Sequence, residues 1–188
     1  MGENSSPTSL PCTIRYTLFM YYSLHTIKEG KIIMSRVTAQ SERIIEAPAQ
    51  EVYAALIDYQ NKRPSLLTPN FLDYAVEKGG VGEGTVVSYR LQAGGRERPY
   101  RMQVTEPAKG QTLMEKDLNS SLSTTWTLTP MQGGRATKVQ VTTSWEGSSG
   151  MGGFFERTFA PMGLRRIYNQ MLSQLAQTVQ NQQSGAKM

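Results

Sequence analysis

Cysteine and histidine are almost absent from this chain. Among 188 residues there is one cysteine, Cys12, and one histidine, His25, and both precede Ser35. A disulfide framework is therefore excluded. From Ser35 onward the chain also lacks the side chains for a Cys or Ser-His triad, an imidazole acid–base mechanism or a Cys/His zinc site. Any chemistry must use carboxylates, Tyr, Lys or Arg, so we expect no cofactor and no transition-metal site.

Long hydrophobic runs and a strong net charge are also missing. No apolar run approaches the roughly 20 residues of a membrane helix, and the nearest, Tyr16–Tyr22, is far too short. The net charge of +5, from 20 basic and 15 acidic residues, is a mild excess that predicts no nucleic-acid partner. The start of the chain is acidic and polar and has no secretory cleavage pattern. We therefore expect a globular protein of the bacterial cytoplasm.

The first 33 residues show neither a strand period nor a helix period. They are interpreted either as a disordered tail or as a translated leader that precedes a start at Met34. The second interpretation arises because Lys28-Glu29-Gly30 can be encoded by a bacterial ribosome-binding sequence at a suitable distance from Met34. In both cases we place residues 1–34 outside the fold, one domain at 35–181 and a disordered tail at 182–188.

Most of the remaining chain has the alternating apolar pattern of strands. Pairs of glycines, such as Gly79-Gly80 and Gly94-Gly95, separate these segments and mark turns. Successive hairpins of this kind indicate an antiparallel meander with one apolar side. The predicted strands are Val37–Glu46, Phe71–Lys78, Gly82–Gln92, Pro99–Glu106, Gln111–Leu118, Ser121–Pro130 and Thr137–Glu146.

Helical periodicity occurs at two places. Gln50–Asp58 follows the first strand, with Pro48 suited to a first helical turn, and the polar connection after it has room for one more short helix. Phe154 to about Gln180 carries a broad apolar stripe and predicts a long helix. Pro161 lies inside this helix and is expected to kink or interrupt it near Phe159.

This order of elements carries a resemblance to a known superfamily. The segments EAPAQEVYAALIDY, GEGTVVSYRL, STTWTLTPMQGGRATKVQVTTSW and FFERTFAPMGLRRIYNQMLSQLAQTVQ lie between Ser35 and Gln180. They resemble the START/Bet v 1-like (SRPBCC) superfamily, in particular its polyketide cyclase/dehydrase and lipid-transport branch. The resemblance implies an α+β helix-grip fold: a curved antiparallel sheet wraps around a long C-terminal helix, with two short helices after the first strand. It also implies an apolar cavity between sheet and helix.

The apolar faces supply the residues that would line this cavity. The alternative is that many of them pack against one another as a solid core. Methionine favours a cavity slightly, because it repacks around ligands of varied shape. The candidates are Tyr89, Leu91, Tyr100, Met102, Val104, Trp126, Leu128, Val139, Val141 and Trp145 from the strands, and Phe155, Phe159, Met162, Ile167 and Met171 from the helix.

Polar candidates for chemistry are few, and we assign no catalytic residue. The hydroxyls of Tyr89 and Tyr100 could bind a ligand oxygen, although core packing with the hydroxyl at a wet rim is the favoured interpretation. Glu115 and Asp117 share one strand face, and paired carboxylates can support acid–base catalysis. We expect both to be solvated instead.

Three arginines lie on or near one hairpin. Strand parity places Arg96 and Arg98 on one face and Arg101 on the other. This arrangement does not predict a focused phosphate site. Contact with a membrane surface or an acidic partner is the alternative to simple solvation.

Three function classes follow from the resemblance. The leading one is a protein that binds a hydrophobic small molecule, such as a lipid, an isoprenoid or a polyketide-like aromatic. The second is a cyclase/aromatase-type enzyme. The third is an interaction module whose cavity is vestigial. The sequence predicts neither the ligand nor the oligomeric state.

Overall fold

The computed structural model describes residues 36–93, 95–147 and 151–185, and for 151–160 and 185 it describes the backbone alone. The predicted leader, residues 1–34, lies outside the described residues, as does the end of the predicted tail, 186–188. The described residues form the predicted helix-grip fold, an antiparallel sheet with one long C-terminal helix and two short ones. No helix among them combines the length and the apolar character needed to span a membrane.

The sheet has seven strands, and every neighbouring pair is antiparallel. Its order is β1-β7-β6-β5-β4-β3-β2, so the last strand closes back on the first and the others follow as a meander. The strands are β1 Arg36–Ile45, β2 Phe71–Lys78, β3 Val86–Ala93, β4 Arg96–Ala108, β5 Thr112–Asp117, β6 Ser123–Met131 and β7 Ala136–Glu146.

Alternation along the strands creates one apolar face. In β6, Thr124, Trp126 and Leu128 are buried, whereas the residues between them are partly exposed. The register pairs Trp126 with Val141 of β7, which is fully buried. In β4, Met102 and Val104 belong to the same buried face. A period of two therefore gathers these side chains on the inner side of the sheet.

Three α-helices complete the fold of the described residues: α1 Ala49–Leu56, α2 Arg63–Leu66 and α3 Met151–Gly185. A short 3-10 turn, Gln132–Gly134, joins β6 to β7. Helix α3 packs on β1 and contacts α1, α2 and β3. Its buried positions recur every three or four residues, which is the spacing of one helix face. They include Leu164, Ile167, Tyr168, Met171, Leu172, Leu175 and Val179.

Helix α3 differs from its predicted form in two ways. Pro161 does not interrupt it, and α3 is one continuous helical segment around this residue. An interior proline removes one backbone N–H bond and crowds the carbonyl four residues earlier, which costs about 3 kcal/mol and can kink a helix without ending it. The predicted interruption is therefore wrong, and the alternative, a kink near Phe159, stays a prediction. The helix also continues to Gly185, so the tail predicted to be disordered from residue 182 begins as helix.

Candidate ligand-binding site

A cavity of about 550 Å³ lies between the inner face of the sheet and helix α3. Small-molecule sites in proteins commonly measure about 300–1,000 Å³. Strands β2 to β7, α2 and α3 all contribute to its wall. The apolar part of the wall includes Leu67, Phe71, Val87, Leu91, Met102, Leu122, Trp126, Leu164 and Met171.

Apart from Met162, the predicted cavity residues fall into three groups. On the wall lie Tyr89, Leu91, Tyr100, Met102, Trp126, Trp145 and Met171. Away from the wall, in the packed core, lie Val104, Leu128, Val139, Val141 and Ile167, all at most 4% exposed. The side chains of Phe155 and Phe159 lie outside the described residues. That the wall residues bind a ligand stays a prediction.

Met162 does not point inward as predicted. Its side chain is 63% exposed. The inward face of α3 carries Leu164, Tyr168 and Met171, spaced by four and three residues. Met162 precedes Leu164 by two residues, which is about 200° around a helix, so it faces away from the cavity.

One end of the cavity, which we name the closed end, is built from Tyr59, Arg63, Glu115 and Trp126. Arg63 Nη2 lies 2.5 Å from Glu115 Oε1, and both residues are buried. The Tyr59 hydroxyl donates to the same Oε1 at 2.6 Å, and Trp126 Nε1 donates to Oε2 at 3.3 Å. Both oxygens of the buried carboxylate are thus occupied by donors of the protein.

The guanidinium of Arg63 is held by more than this ion pair. Its Cζ lies 4.6 Å from the ring centroid of Trp126 and 5.2 Å from that of Tyr59, and these are cation–π distances. Burial acts to lower the pKa of Arg63, but the Glu115 carboxylate and nearby tyrosines outweigh it and raise the pKa above its ordinary value. Arg63 therefore remains a cation inside the cavity wall.

The closed-end hydroxyl of Tyr59 stays protonated. Burial is the main reason that its pKa lies well above 10, and the neighbouring charge of Glu115 raises it further. A protonated phenol can donate to the carboxylate, as the 2.6 Å contact requires. The closed end is thus a fixed arrangement of donors around one acceptor.

A second cluster of polar side chains connects the sheet to helix α3 by hydrogen bonds. The hydroxyls of Thr124 and Thr143 are 2.7 Å apart, and that of Thr143 is 2.5 Å from the hydroxyl of Tyr168. Burial raises the pKa of Tyr168 to about 12, although its hydrogen bonds with the threonines act in the opposite direction. The Tyr168 ring also contacts Trp126 edge-on, with centroids 6.2 Å apart. These contacts fix the position of Tyr168 on the wall.

Tyr89 differs from the other wall tyrosines. Its ring packs between Phe71 and Tyr100, with centroid distances of 5.0 and 5.9 Å. Burial raises the pKa of its phenol well above 10, so the hydroxyl keeps its proton. Within the described part of the chain, this hydroxyl has no hydrogen-bond partner. It is a donor that a bound molecule can use.

The expectation that Glu115 and Asp117 are solvated is wrong. Both are buried and line the cavity. Asp117 accepts hydrogen bonds from the backbone N–H of Arg101 at 3.0 Å and from Ser120 Oγ at 2.6 Å. Donors of the protein replace water around both carboxylates, which is what burial of an ionised group requires. Arg63, the partner of Glu115, carried no sequence signal because it lies in a polar connection before Pro64.

The family model described as polyketide cyclase / dehydrase and lipid transport matches residues 36–180. The chain therefore belongs to this family, and the resemblance to the START/Bet v 1-like superfamily is confirmed. No curated protein matches the chain.

Solved structures agree with this assignment. The KanY protein is 42% identical, with a TM-score of 0.68 over 78% of this chain and 99% of KanY. A protein of Thermus thermophilus, TTHA0849, is 19% identical, with a TM-score of 0.63 over 77% of this chain and 97% of its own. The Zhui aromatase/cyclase from a Streptomyces species is 14% identical, with a TM-score of 0.60 over 78% and 94%. At such low identity, the last two show a shared fold alone.

Proposed function

We propose that this protein binds a hydrophobic small molecule, and that the molecule carries at least one hydrogen-bond acceptor at its inner end. The observation that carries the proposal is the cavity of about 550 Å³ with its apolar wall. An unfilled space of this size forfeits many van der Waals contacts. A bound apolar molecule would restore them.

The polar groups on the wall define the inner end of the ligand. Glu115 is occupied by three protein donors. Arg63, in contrast, has more N–H groups than its bonds to Glu115 and to the carbonyl oxygen of Leu56 use. The free hydroxyl of Tyr89 adds another donor farther along the wall, because its register partner Tyr100 is four residues along β4 from Val104, the partner of Glu115. A carbonyl, quinone or ether oxygen can accept hydrogen bonds from such a surface, whereas a buried ligand cation would be repelled by the positive charge of Arg63.

The enzyme and interaction-module alternatives are less well supported. Proton transfer through Glu115 would have to compete with the three protein donors that its carboxylate already accepts and with the positive charge of Arg63. An interaction module with a vestigial cavity would be expected to fill this space with side chains. Location in the bacterial cytoplasm stays a prediction from the sequence.

A thermal-shift screen tests the proposal. The panel contains a fatty acid, a sterol, a quinone and an aromatic polyketide. At about a hundredfold excess over its Kd, a ligand that binds the folded state alone adds about 2.7 kcal/mol of stability. For a domain of this size that corresponds to a rise in Tm of roughly 5–11 °C. If no compound of the panel shifts the Tm, the proposal fails.

The variant Tyr89→Phe tests the free donor on the cavity wall separately. It removes the free hydroxyl but keeps the ring between Phe71 and Tyr100. We expect weaker binding of a quinone and unchanged binding of a hydrocarbon of similar shape. Tyr53→Phe is the matched control, because the Tyr53 hydroxyl bonds Glu106 and is not on the cavity wall. Equal effects of both variants on quinone binding would contradict the role given to Tyr89.

A further inference from the structure

The end of the cavity away from Arg63 is formed by exposed residues, and we name it the mouth. Among the described residues, its wall includes Arg96, Arg98 and Pro99 from the start of β4 and residues 119–121 after β5. Antiparallel pairing places the turn before β4 and the loop after β5 at the same end of the sheet. Arg96 and Arg98 have the same strand parity as Tyr100 and Met102, so both arginines belong to the cavity face.

The charges of this hairpin are paired on the outer face and unpaired on the cavity face. Arg90 forms ion pairs with Asp73 and Glu97, and Arg101 pairs with Glu77. Among the described residues, neither Arg96 nor Arg98 has a carboxylate partner or a hydrogen-bond acceptor. Two like charges, two residues apart on one strand face, repel each other. An anion at the mouth would relieve this repulsion.

None of the described carboxylates forms an ion pair with Arg96 or Arg98. Glu97 lies on the outer face and is already paired with Arg90. Asp117 lines the cavity, but the N–H of Arg101 and the hydroxyl of Ser120 hold it, and it forms no ion pair with either mouth arginine. Strand parity alone separates these arginines from Arg101. The structure adds that they stand at the opening of an apolar cavity.

The distance between the two ends limits the ligand. Arg98 lies six residues along β4 from Val104, the register partner of Glu115. At a rise of about 3.3 Å per residue, this is about 20 Å along the strand. An apolar molecule that fills the cavity can therefore reach the mouth with one end while its other end lies near Arg63.

We propose, on the basis of the function proposed above, that Arg96 and Arg98 form an anion subsite at the mouth. The ligand is then an amphiphile: its apolar body occupies the cavity, and its carboxylate, phosphate or sulfonate group lies between the two guanidinium groups. Guanidinium groups bind such oxyanions through charge-assisted hydrogen bonds. The cation at the inner end, Arg63, is already paired with Glu115, whereas the mouth arginines have no carboxylate partner among the described residues, so the ligand enters with its neutral end first.

A pair of matched fluorescent probes tests this subsite. Anilinonaphthalene sulfonate and phenylnaphthylamine share their aromatic body, and only the first carries an anion. In the variant Arg96→Gln/Arg98→Gln we expect the Kd of the sulfonate to rise about five- to thirtyfold, the loss of charge-assisted bonds at an exposed site. The Kd of the neutral probe should stay within about twofold, because its apolar contacts are unchanged.

Three controls separate the subsite from a general effect of protein charge. Arg135→Gln/Lys138→Gln removes two cations near the β6–β7 turn, at the other end of the sheet, and should leave both Kd values unchanged. Arg96→Lys/Arg98→Lys keeps the charge and should retain part of the sulfonate affinity. Raising the ionic strength from about 0.05 to about 0.5 M should weaken sulfonate binding to the wild type, since salt screens exposed charges, but not to the Gln variant.

The possible contrary results distinguish failure of the anion subsite from failure of the proposed function. If the neutral probe binds and the Gln variant leaves the sulfonate Kd unchanged, the subsite is wrong and the proposed function stands. If neither probe binds the wild type, the proposed function itself fails. If the Gln variant loses sedimentation with phosphatidylglycerol vesicles but keeps its sulfonate Kd, the arginines contact a membrane surface, and the subsite is again wrong.

Discussion

Two neighbouring residues of helix α3 allow the cavity to be distinguished from a solid core. Met171 is 3% exposed and lies on the cavity wall, whereas Leu172 is 1% exposed and lies in the packed core away from that wall. Replacing either residue with tryptophan adds a bulky ring at the same depth of the same helix. The two substitutions differ in whether free space is available to receive the ring.

The structure predicts opposite outcomes. In Leu172→Trp the ring overpacks the core, which costs about 1–3 kcal/mol and lowers Tm by roughly 2–12 °C in a domain of this size. In Met171→Trp the ring enters a space of about 550 Å³, so the free energy of unfolding should change little. The same ring should abolish binding of phenylnaphthylamine, while Leu172→Trp should retain it.

Urea denaturation followed by circular dichroism measures both free energies. The slope of free energy against urea should be the same for all variants, since it reports the surface exposed on unfolding. Equal destabilisation by the two substitutions would refute the reasoning, because it would show that Met171 is as tightly packed as Leu172. Binding of the probe by Met171→Trp with unchanged affinity would refute it as well.

Two further predictions concern the polar groups of the wall. Arg63→Met should lower the free energy of unfolding, measured with urea, by about 3–5 kcal/mol, because it leaves the Glu115 carboxylate buried without its cation. The double variant Arg63→Met/Glu115→Leu should recover most of that loss. A double variant that is less stable than Arg63→Met would contradict this account. Burial raises the pKa of Tyr168 to about 12, whereas a tyrosine in the unfolded chain titrates near pH 10. Its contribution to the free energy of unfolding is therefore complete below pH 10. Between pH 10 and 12 it is lost at up to about 1.4 kcal/mol per pH unit. Tyr168→Phe should therefore show a shallower alkaline loss of stability than the wild type, and equal slopes would contradict the shift.

The alternation of apolar and polar residues was sufficient to predict the strands and their inward faces. The alternation in Phe71–Lys78 predicted β2 with the bounds that the structure has. The inward face of β4, with Met102 and Val104 buried, also followed from parity. These features depend on which residues share a face, and a period of two specifies that directly. The start of β4 at Arg96 instead of Pro99 was missed because arginines at a hairpin look like a turn.

The closed end could not be predicted because it depends on contacts between distant residues. Arg63 and Glu115 are 52 positions apart. The sequence offers no sign that an arginine beside Pro64 turns inward, and without it a carboxylate on a strand is reasonably placed in water. Met162 was misplaced for a related reason: a broad apolar stripe does not say which of its edges faces the sheet. Only the packing of α3 on β1 decides that.

Native mass spectrometry of the purified full chain tests the central claim most directly. The protein is sprayed from volatile buffer with and without added phenylnaphthylamine, and any bound compound is extracted into organic solvent and identified. The account predicts a population whose excess mass equals one small molecule per chain, displaced or replaced by the probe, and missing in Met171→Trp. A chain that carries no compound and takes up no probe, or that binds several probe molecules equally well in Met171→Trp, would contradict the claim that this cavity is a ligand site.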